Sequence, residues 1–235
     1  MIVRREHNRL LLITQPDHAL LARRIMERCV PLATHPRRDI ILHAIEQHDN
    51  GWLEEDAAPR VNPASGEIVD FVNAPADVRQ RVWTRGVARL ADVPWAAALV
   101  AQHAIVIYDR HHPDESWAPF FRTIHDMREE MCAASEYSVD ELESDYRFVR
   151  LADLISLAFC MGLSGEQQWG RSSVRLSDSR VVVAPDMFGG VEIPIDIVAR
   201  AITHQPFRSD HELRSTLSHA VPTTLRGSVS GPSAA

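Results

Sequence analysis

Apolar and polar positions alternate with two different periods, which divide the chain into a helical middle and β-rich ends. Apolar residues recur every three to four positions in six segments, which predicts amphipathic helices at 17–30, before His48, and at 76–91, 95–110, 119–134 and 138–163. Short apolar runs predict strands at 2–5, 10–14, 173–176, 180–184, 191–195 and 223–229. Ser209 and Glu212 form a capping pattern that predicts one more helix, ending near His219.

These elements predict a mainly α fold with a small antiparallel sheet, built from the N-terminal hairpin and the C-terminal region. We expect the hairpin at 1–14 to pack on that sheet, a helical core at 15–165, and a small α+β region at 166–228. The tail at 229–235 consists of small and polar residues and is expected to be disordered. Residues 51–75 form a long loop rich in proline, and loops of this length are often functional.

Several helices carry a histidine or an aspartate on the face that should be buried. His18, His48 and His103 each continue an apolar stripe, and Asp49 follows His48 directly. Asp153 lies in the middle of such a stripe, where a carboxylate is costly unless a cation compensates it, and the chain contains no lysine. The sequence therefore predicts that these helices share a metal site.

His18, His48, Asp49 and Asp153 would supply two imidazoles and two carboxylates to this site. Such a set of nitrogen and oxygen donors suits Fe, Mn, Co, Ni or Zn better than Ca or Mg. It also leaves coordination positions open for water and for a small-molecule substrate.

Composition and charge restrict the classes of partner. A chain of 235 residues fits one domain, or one domain with a small appendage. The net charge of −7 without a basic stripe argues against a nucleic-acid partner, and no apolar run is long enough to span a membrane. Three cysteines, Cys29, Cys132 and Cys160, are far apart and mostly on apolar faces, which predicts reduced thiols in a cytoplasmic protein.

The order of these residues resembles the HD-domain superfamily of metal-dependent enzymes. The resemblance rests on His18, the segment H48-D49-N50-G51, and Asp153 within LADLISLAFC, and it covers residues 15–163. The segments LLLITQPDHALLA, QHDNGWLEEDAAP and DYRFVRLADLISLAFCMGL look more closely like a bacterial family of unknown function that spans essentially the whole chain. The superfamily resemblance implies an HD-like helical core around a metal.

The resemblance leaves the number of ions and the reaction open. With one ion it implies a hydrolase, most simply a phosphohydrolase, in which His103 or the loop carboxylates Glu54 and Asp56 serve as acid or base. With two ions Asp49 would bridge, and His103 and His125 would bind the second metal. That arrangement occurs in cyclic-dinucleotide phosphodiesterases and in mixed-valent di-iron oxygenases that act on small organic substrates. A third interpretation is a non-catalytic HD-like binding module.

Three residues are candidates for the substrate pocket. Trp52 stands where many HD relatives have a lysine that reaches the substrate, and it could form an apolar wall instead. Arg150 lies one turn before Asp153 and could replace that cation, although its position more simply indicates a solvated helix residue. Tyr146 shares the apolar face of Asp153. The β-rich ends could cover the cavity mouth or form a homodimer contact.

Overall fold

The computed structural model describes residues 1–111 and 114–232, which contain nine α-helices and seven β-strands. The helices are α1 (Gln15–Met26), α2 (Val30–Ala33), α3 (Arg38–Gln47), α4 (Leu53–Ala57), α5 (Ala76–Ala88), α6 (Pro94–Tyr108), α7 (Ala118–Ser135), α8 (Val139–Met161) and α9 (Asp210–Ser218). The strands are β1 (Ile2–Glu6), β2 (Arg9–Ile13), β3 (Glu166–Trp169), β4 (Ser172–Ser177), β5 (Arg180–Ala184), β6 (Ile193–Thr203) and β7 (Val221–Ser230). Short 3₁₀ turns follow α3 at Asn50–Trp52 and flank the end of α6 and the start of α7.

All seven strands join one curled sheet in the order β1-β2-β6-β7-β5-β4-β3. The sheet is mixed, because β5 and β7 pair in parallel whereas the other neighbours are antiparallel. The chain is 51% helical and about 21% strand. The prediction of a mainly α fold with a small antiparallel sheet is therefore wrong, although the N-terminal hairpin does pair with the C-terminal region through β2 and β6.

The sheet is larger than predicted because its two longest strands extend beyond their apolar runs. In β6 the buried positions alternate from Ile193 to Ala199, far past the predicted end at 195. In β7 the small residues at the end of the chain still pair, and Val229 and Ser230 are buried. The predicted disordered tail therefore begins too early, and its last residues, 233–235, lie outside the described residues.

The helices enclose one apolar core and share a second with the sheet. Side chains from α1, α3, α5, α6, α7 and α8 form the first core. Leu21 and Ile25 of α1 and Ile155 and Phe159 of α8 pack on the sheet instead. Helices α1 and α8 thus contact both cores and hold their polar residues at the junction between them.

Helix ends and cysteines follow the predictions in most respects. Ser138 and Glu141 form a reciprocal capping box at the start of α8, as the sequence indicates. All three cysteines are free and buried. Within the described residues, no helix combines the length and the apolar character needed to cross a membrane.

Candidate metal centre

Four of the predicted donor residues meet between α1, α3 and α8. His18 lies in the first turns of α1, His48 caps the C-terminus of α3, and Asp49 follows it before the 3₁₀ turn. Asp153 lies in the second half of α8. All four side chains are buried, with at most 6% of each residue exposed. Buried ionisable groups of this kind need a partner of opposite charge.

The donor atoms are separated by the distances that ligands of one ion would have. The Nε2 atoms of His18 and His48 lie 3.1 Å apart. Asp49 Oδ2 lies 3.4 Å from each of these nitrogens, and Asp153 Oδ1 lies 3.4 and 3.6 Å from them. Bonds of about 2.1 Å separate neighbouring ligands by roughly 3.0 Å in octahedral and roughly 3.4 Å in tetrahedral coordination. His18, His48 and Asp49 therefore form a group that could hold a metal ion.

Both imidazoles are oriented by a hydrogen bond on the side away from the centre. His48 Nδ1 lies 2.7 Å from the carbonyl oxygen of Ile45, which can only accept, so Nδ1 carries the proton. Ser156 Oγ lies 2.8 Å from His18 Nδ1 and donates its one proton to a backbone carbonyl of its own helix, 3.0 Å away at Ala152. Ser156 then accepts from His18 Nδ1. With Nδ1 protonated on each ring, Nε2 is the atom that faces the centre, where it hydrogen-bonds the carboxylates when protonated and can bind a metal when it loses that proton.

The electrostatics of the centre favour a cation. Burial alone would raise the pKa of Asp153, but hydrogen bonds from His18 and His48 hold it well below its ordinary value. Burial opposes the charged form of His18 as well, yet Asp153 and Asp49 hold the pKa of this imidazole well above its ordinary value. The two carboxylates therefore stay ionised and attract positive charge to the same point.

His103 of α6 lies beside this group and completes a second set of possible donors with His48 and Asp153. Its Nε2 atom is 3.7 Å from Asp153 Oδ2, and its Nδ1 atom is 3.1 Å from the Tyr146 hydroxyl. Burial, together with the charges of His48 and Arg150, lowers the pKa of His103 to about 3. The ring is therefore neutral near pH 7.

Arg150 binds the outer oxygen of Asp153 and is not a solvated surface residue. Its Nη1 atom donates to Asp153 Oδ2 over 2.6 Å, and its guanidinium carbon lies 5.5 Å from the centroid of the Trp169 ring. Its Nε atom is buried without a hydrogen-bond partner in the described part of the chain. Arg150 thus keeps an unused donor close to the centre.

The glycine after the His-Asp pair is required by close packing against α5. A Cβ atom at Gly51 would lie 1.8 Å from the carbonyl oxygen of Val82. Arg85 Nε donates to the carbonyl of Gly51 over 3.1 Å, and Arg89 Nη1 donates to that of Asn50 over 2.5 Å. Helix α5 therefore fixes the backbone that carries His48 and Asp49.

A cavity of about 330 Å³ adjoins the centre, with Asp49, His103 and Asp153 in its wall. Much of the remaining wall is aromatic or cationic, and it includes Trp52, Phe71, Trp83, Tyr108, Trp169, Arg79, Arg110 and Arg150. Of the residues predicted for the substrate pocket, Trp52 and Arg150 line this cavity, whereas Tyr146 does not and lies behind His103. A larger depression of about 580 Å³ on the sheet contains none of the metal donors.

Three predicted site residues are not brought to the centre. Glu54 is exposed and pairs with Arg85 and Arg89 of α5. The side chain of Asp56 is buried, but it binds the Met1 amino group and the backbone N–H of Gln15. Among the described residues, neither group of possible metal ligands includes His125, which lines a separate cavity with Phe121 and Arg122.

Sequence reasoning also missed residues that shape the site. Ser156, which orients the His18 ring, lies three residues after Asp153 on the same face of α8. This spacing was the one signal in the sequence for that role. Arg79 and the aromatic residues Phe71 and Trp169 reach the cavity from segments that are distant in sequence. No periodicity within a single helix identifies such residues.

Comparison with known proteins gives a family but no activity. The model of a family described as "Protein of unknown function (DUF3891)" matches residues 1–204. The match covers most of the chain, which therefore belongs to this family. No curated protein and no solved structure matches the chain. The resemblance to the HD superfamily stays a prediction.

Proposed function

We propose that this member of the DUF3891 family is a metal-dependent hydrolase that acts on a small phosphoester. The observation that carries the proposal is the convergence of His18, His48, Asp49 and Asp153 at ligand distances beside a cavity. A site that only stabilised the fold would have no need of a neighbouring cavity with an unused arginine donor. Enzymatic metal sites, by contrast, keep a position open toward their substrate.

The four donors would hold one divalent transition-metal ion, because imidazole and carboxylate together suit Fe, Mn, Co, Ni or Zn. When bound, such an ion lowers the pKa of a water molecule and polarises a phosphoryl oxygen. Asp153 would contribute Oδ1 alone, since Arg150 engages Oδ2. Ser156 and the Ile45 carbonyl keep the two imidazoles in the tautomer that can bind.

Two further side chains would act on the substrate. The Arg150 guanidinium, held between Asp153 and Trp169, would hydrogen-bond the phosphoryl oxygens through its free Nε donor. His103 lies in the cavity wall and is neutral, so its Nε2 atom would orient the attacking water through a hydrogen bond, whereas its low pKa disfavours full proton transfer to this ring. The Tyr146 hydroxyl orients this ring from behind.

The position of His125 argues against the dinuclear alternative. A second ion would require His125 beside His103, but His125 belongs to neither donor group found in the described residues. Arg150 also places a positive charge on the oxygen of Asp153 that faces His103. A second cation there would be repelled, so this arrangement favours one ion and a hydrolytic reaction over a di-iron oxygenase.

Metal analysis combined with a phosphoester screen tests the proposal. Protein purified without oxygen should contain about one equivalent of a transition metal and hydrolyse aryl phosphates with added Mn²⁺, Co²⁺, Ni²⁺ or Zn²⁺. Asp153→Ala should lose the metal and the activity, whereas His125→Ala should retain the metal. Two equivalents of iron with an oxygen-dependent spectrum, or loss of metal in His125→Ala, would contradict the proposal.

A further inference from the structure

The end of the cavity away from the centre contains two arginines that have no acidic partner within the described ranges 1–111 and 114–232. The Arg79 guanidinium carbon lies 5.8 Å from the Tyr108 ring centroid and 5.3 Å from that of Trp117. Arg79 Nε is buried and has no hydrogen-bond partner in the described residues. Arg110 lies at the exposed rim, where its Nε atom contacts the His111 ring. Both arginines line the cavity.

Positive charge is concentrated here even though the chain has a net charge of −7. Burial lowers the pKa of His111, and the charges of Arg110 and Arg79 lower it further. Neither arginine forms an ion pair in the part of the chain that the structure describes, whereas Arg150 at the other end is paired with Asp153. A fixed, partly desolvated guanidinium with a free donor is suited to binding a planar anion.

The distance between the two ends follows from the geometry of α6. Tyr108, on which Arg79 stacks, lies five residues after His103, which corresponds to about 7.5 Å along the helix. Trp83 of α5 contacts both residues, with ring centroids 5.5 Å from His103 and 6.2 Å from Tyr108. Val106 and Ile107 line the cavity between them. The middle of the cavity is therefore apolar, with Arg150 beside the candidate metal centre at one end and Arg79 and Arg110 at the other.

From this arrangement we infer that Arg79 and Arg110 form a second anion-binding subsite, and that the ligand carries two anionic groups joined by a short apolar body. One group lies at the metal centre with Arg150, and the other, a carboxylate or phosphate, binds Arg79. An aromatic or alicyclic body matches the walls formed by Trp52 and Phe71. The inference rests on the proposed function for the chemistry at the metal end.

Two non-hydrolysable probes test the subsite without requiring turnover. The metal-loaded protein is titrated calorimetrically with (4-carboxyphenyl)phosphonate and with (4-carbamoylphenyl)phosphonate, which differ only in the charge opposite the phosphonate. A charge-assisted hydrogen bond to Arg79 should make the carboxylate bind about ten- to hundredfold more tightly. The preference should shrink at high salt, because Arg110 at the rim is exposed to solvent.

Matched arginine variants assign the preference to the subsite. Arg79→Gln should reduce the preference for the carboxylate probe over the carboxamide probe to less than about threefold. Arg28→Gln removes an exposed arginine outside the cavity and should leave this preference unchanged. Thermal unfolding shows whether each variant is folded. If Arg79→Gln does not fold, the difference in affinity between the two phosphonates for the unsubstituted protein still tests the subsite.

The outcomes separate this inference from the proposed function. Equal binding of the two phosphonates, or binding of neither, would overturn the subsite whether or not phosphoesters are hydrolysed. A clear preference for the carboxylate without hydrolysis of any phosphoester would support the subsite and count against the hydrolase.

Discussion

His18 and His48 bring two imidazole Nε2 atoms within 3.1 Å of each other, and both atoms face the same position. Two lone pairs at this distance would repel each other, so the contact requires a proton or a metal cation between the rings. The protein fixes this contact by hydrogen bonds that the remote Nδ1–H groups donate to the Ile45 carbonyl and to the Ser156 hydroxyl oxygen. Ligand orientation at this candidate centre would therefore depend on residues that are not themselves candidate ligands.

Ser156 is the residue with which this dependence can be tested. In Ser156→Ala the buried Nδ1–H of His18 loses its acceptor, so the ring can rotate or change tautomer. We expect metal affinity to fall about 10–100-fold, measured by competition with a chromogenic chelator. Ser135→Ala is the control, because Ser135 donates to a backbone carbonyl of α7, away from the centre. Equal affinities for the two variants would show that His18 needs no orienting partner.

At this scale the sequence predicted which buried polar side chains converge, but it did not predict Ser156 and the other residues that contact them. Asp153 and His18 were identifiable because a polar group on an apolar helix face is costly to bury unless a partner compensates it. Glu54 and Asp56 were misassigned because proximity to Asp49 in sequence does not place a side chain in the cavity. Their orientation is decided by α5 and by the first residues of the chain, which bind these carboxylates.

Among the elements, β7 differs most from the structure that its sequence predicts. Its C-terminal residues are small and polar, a composition that predicts disorder when considered alone. In the fold this end lies between β5 and β6, and both neighbours pair with it. Backbone pairing on two sides and burial of Val229 outweigh the weak strand propensity of the residues next to Val229. These contacts come from distant parts of the chain, so the local sequence pattern could not reveal them.

Two valines of β7 show how much the buried end of this strand contributes to stability. Val229 is 0% exposed and Val221 is 71% exposed. Val229→Ala should lower the free energy of unfolding by about 1.5–3 kcal/mol, because it removes buried apolar surface. Val221→Ala should change it by less than about 0.5 kcal/mol. Chemical denaturation measures both, and a tail that contributed nothing to stability would give equal values.

For the whole molecule, the candidate centre links parts that are distant in the chain. Helix α8 packs into the helical core through Phe148 and Val149 and onto the sheet through Ile155 and Phe159. Because Asp153 lies between these two contacts, an ion bound there would connect α8 to α1 and α3 at the junction of both cores. The sequence predicted that these helices converge, but the size and mixed pairing of the sheet depend on long-range contacts.

Removal of the ion should therefore lower the stability of the whole chain. An ion that binds only the folded state adds about 2.7 kcal/mol when it is present at 100 times its dissociation constant. For a chain of this length, that corresponds to a rise of about 5–10 °C in Tm. Calorimetry should show this difference between metal-loaded and chelator-treated protein. Asp153→Ala should show a much smaller difference, because one of the two carboxylates that attract the ion is gone; an undiminished metal-dependent shift in that variant would mean that the ion binds elsewhere.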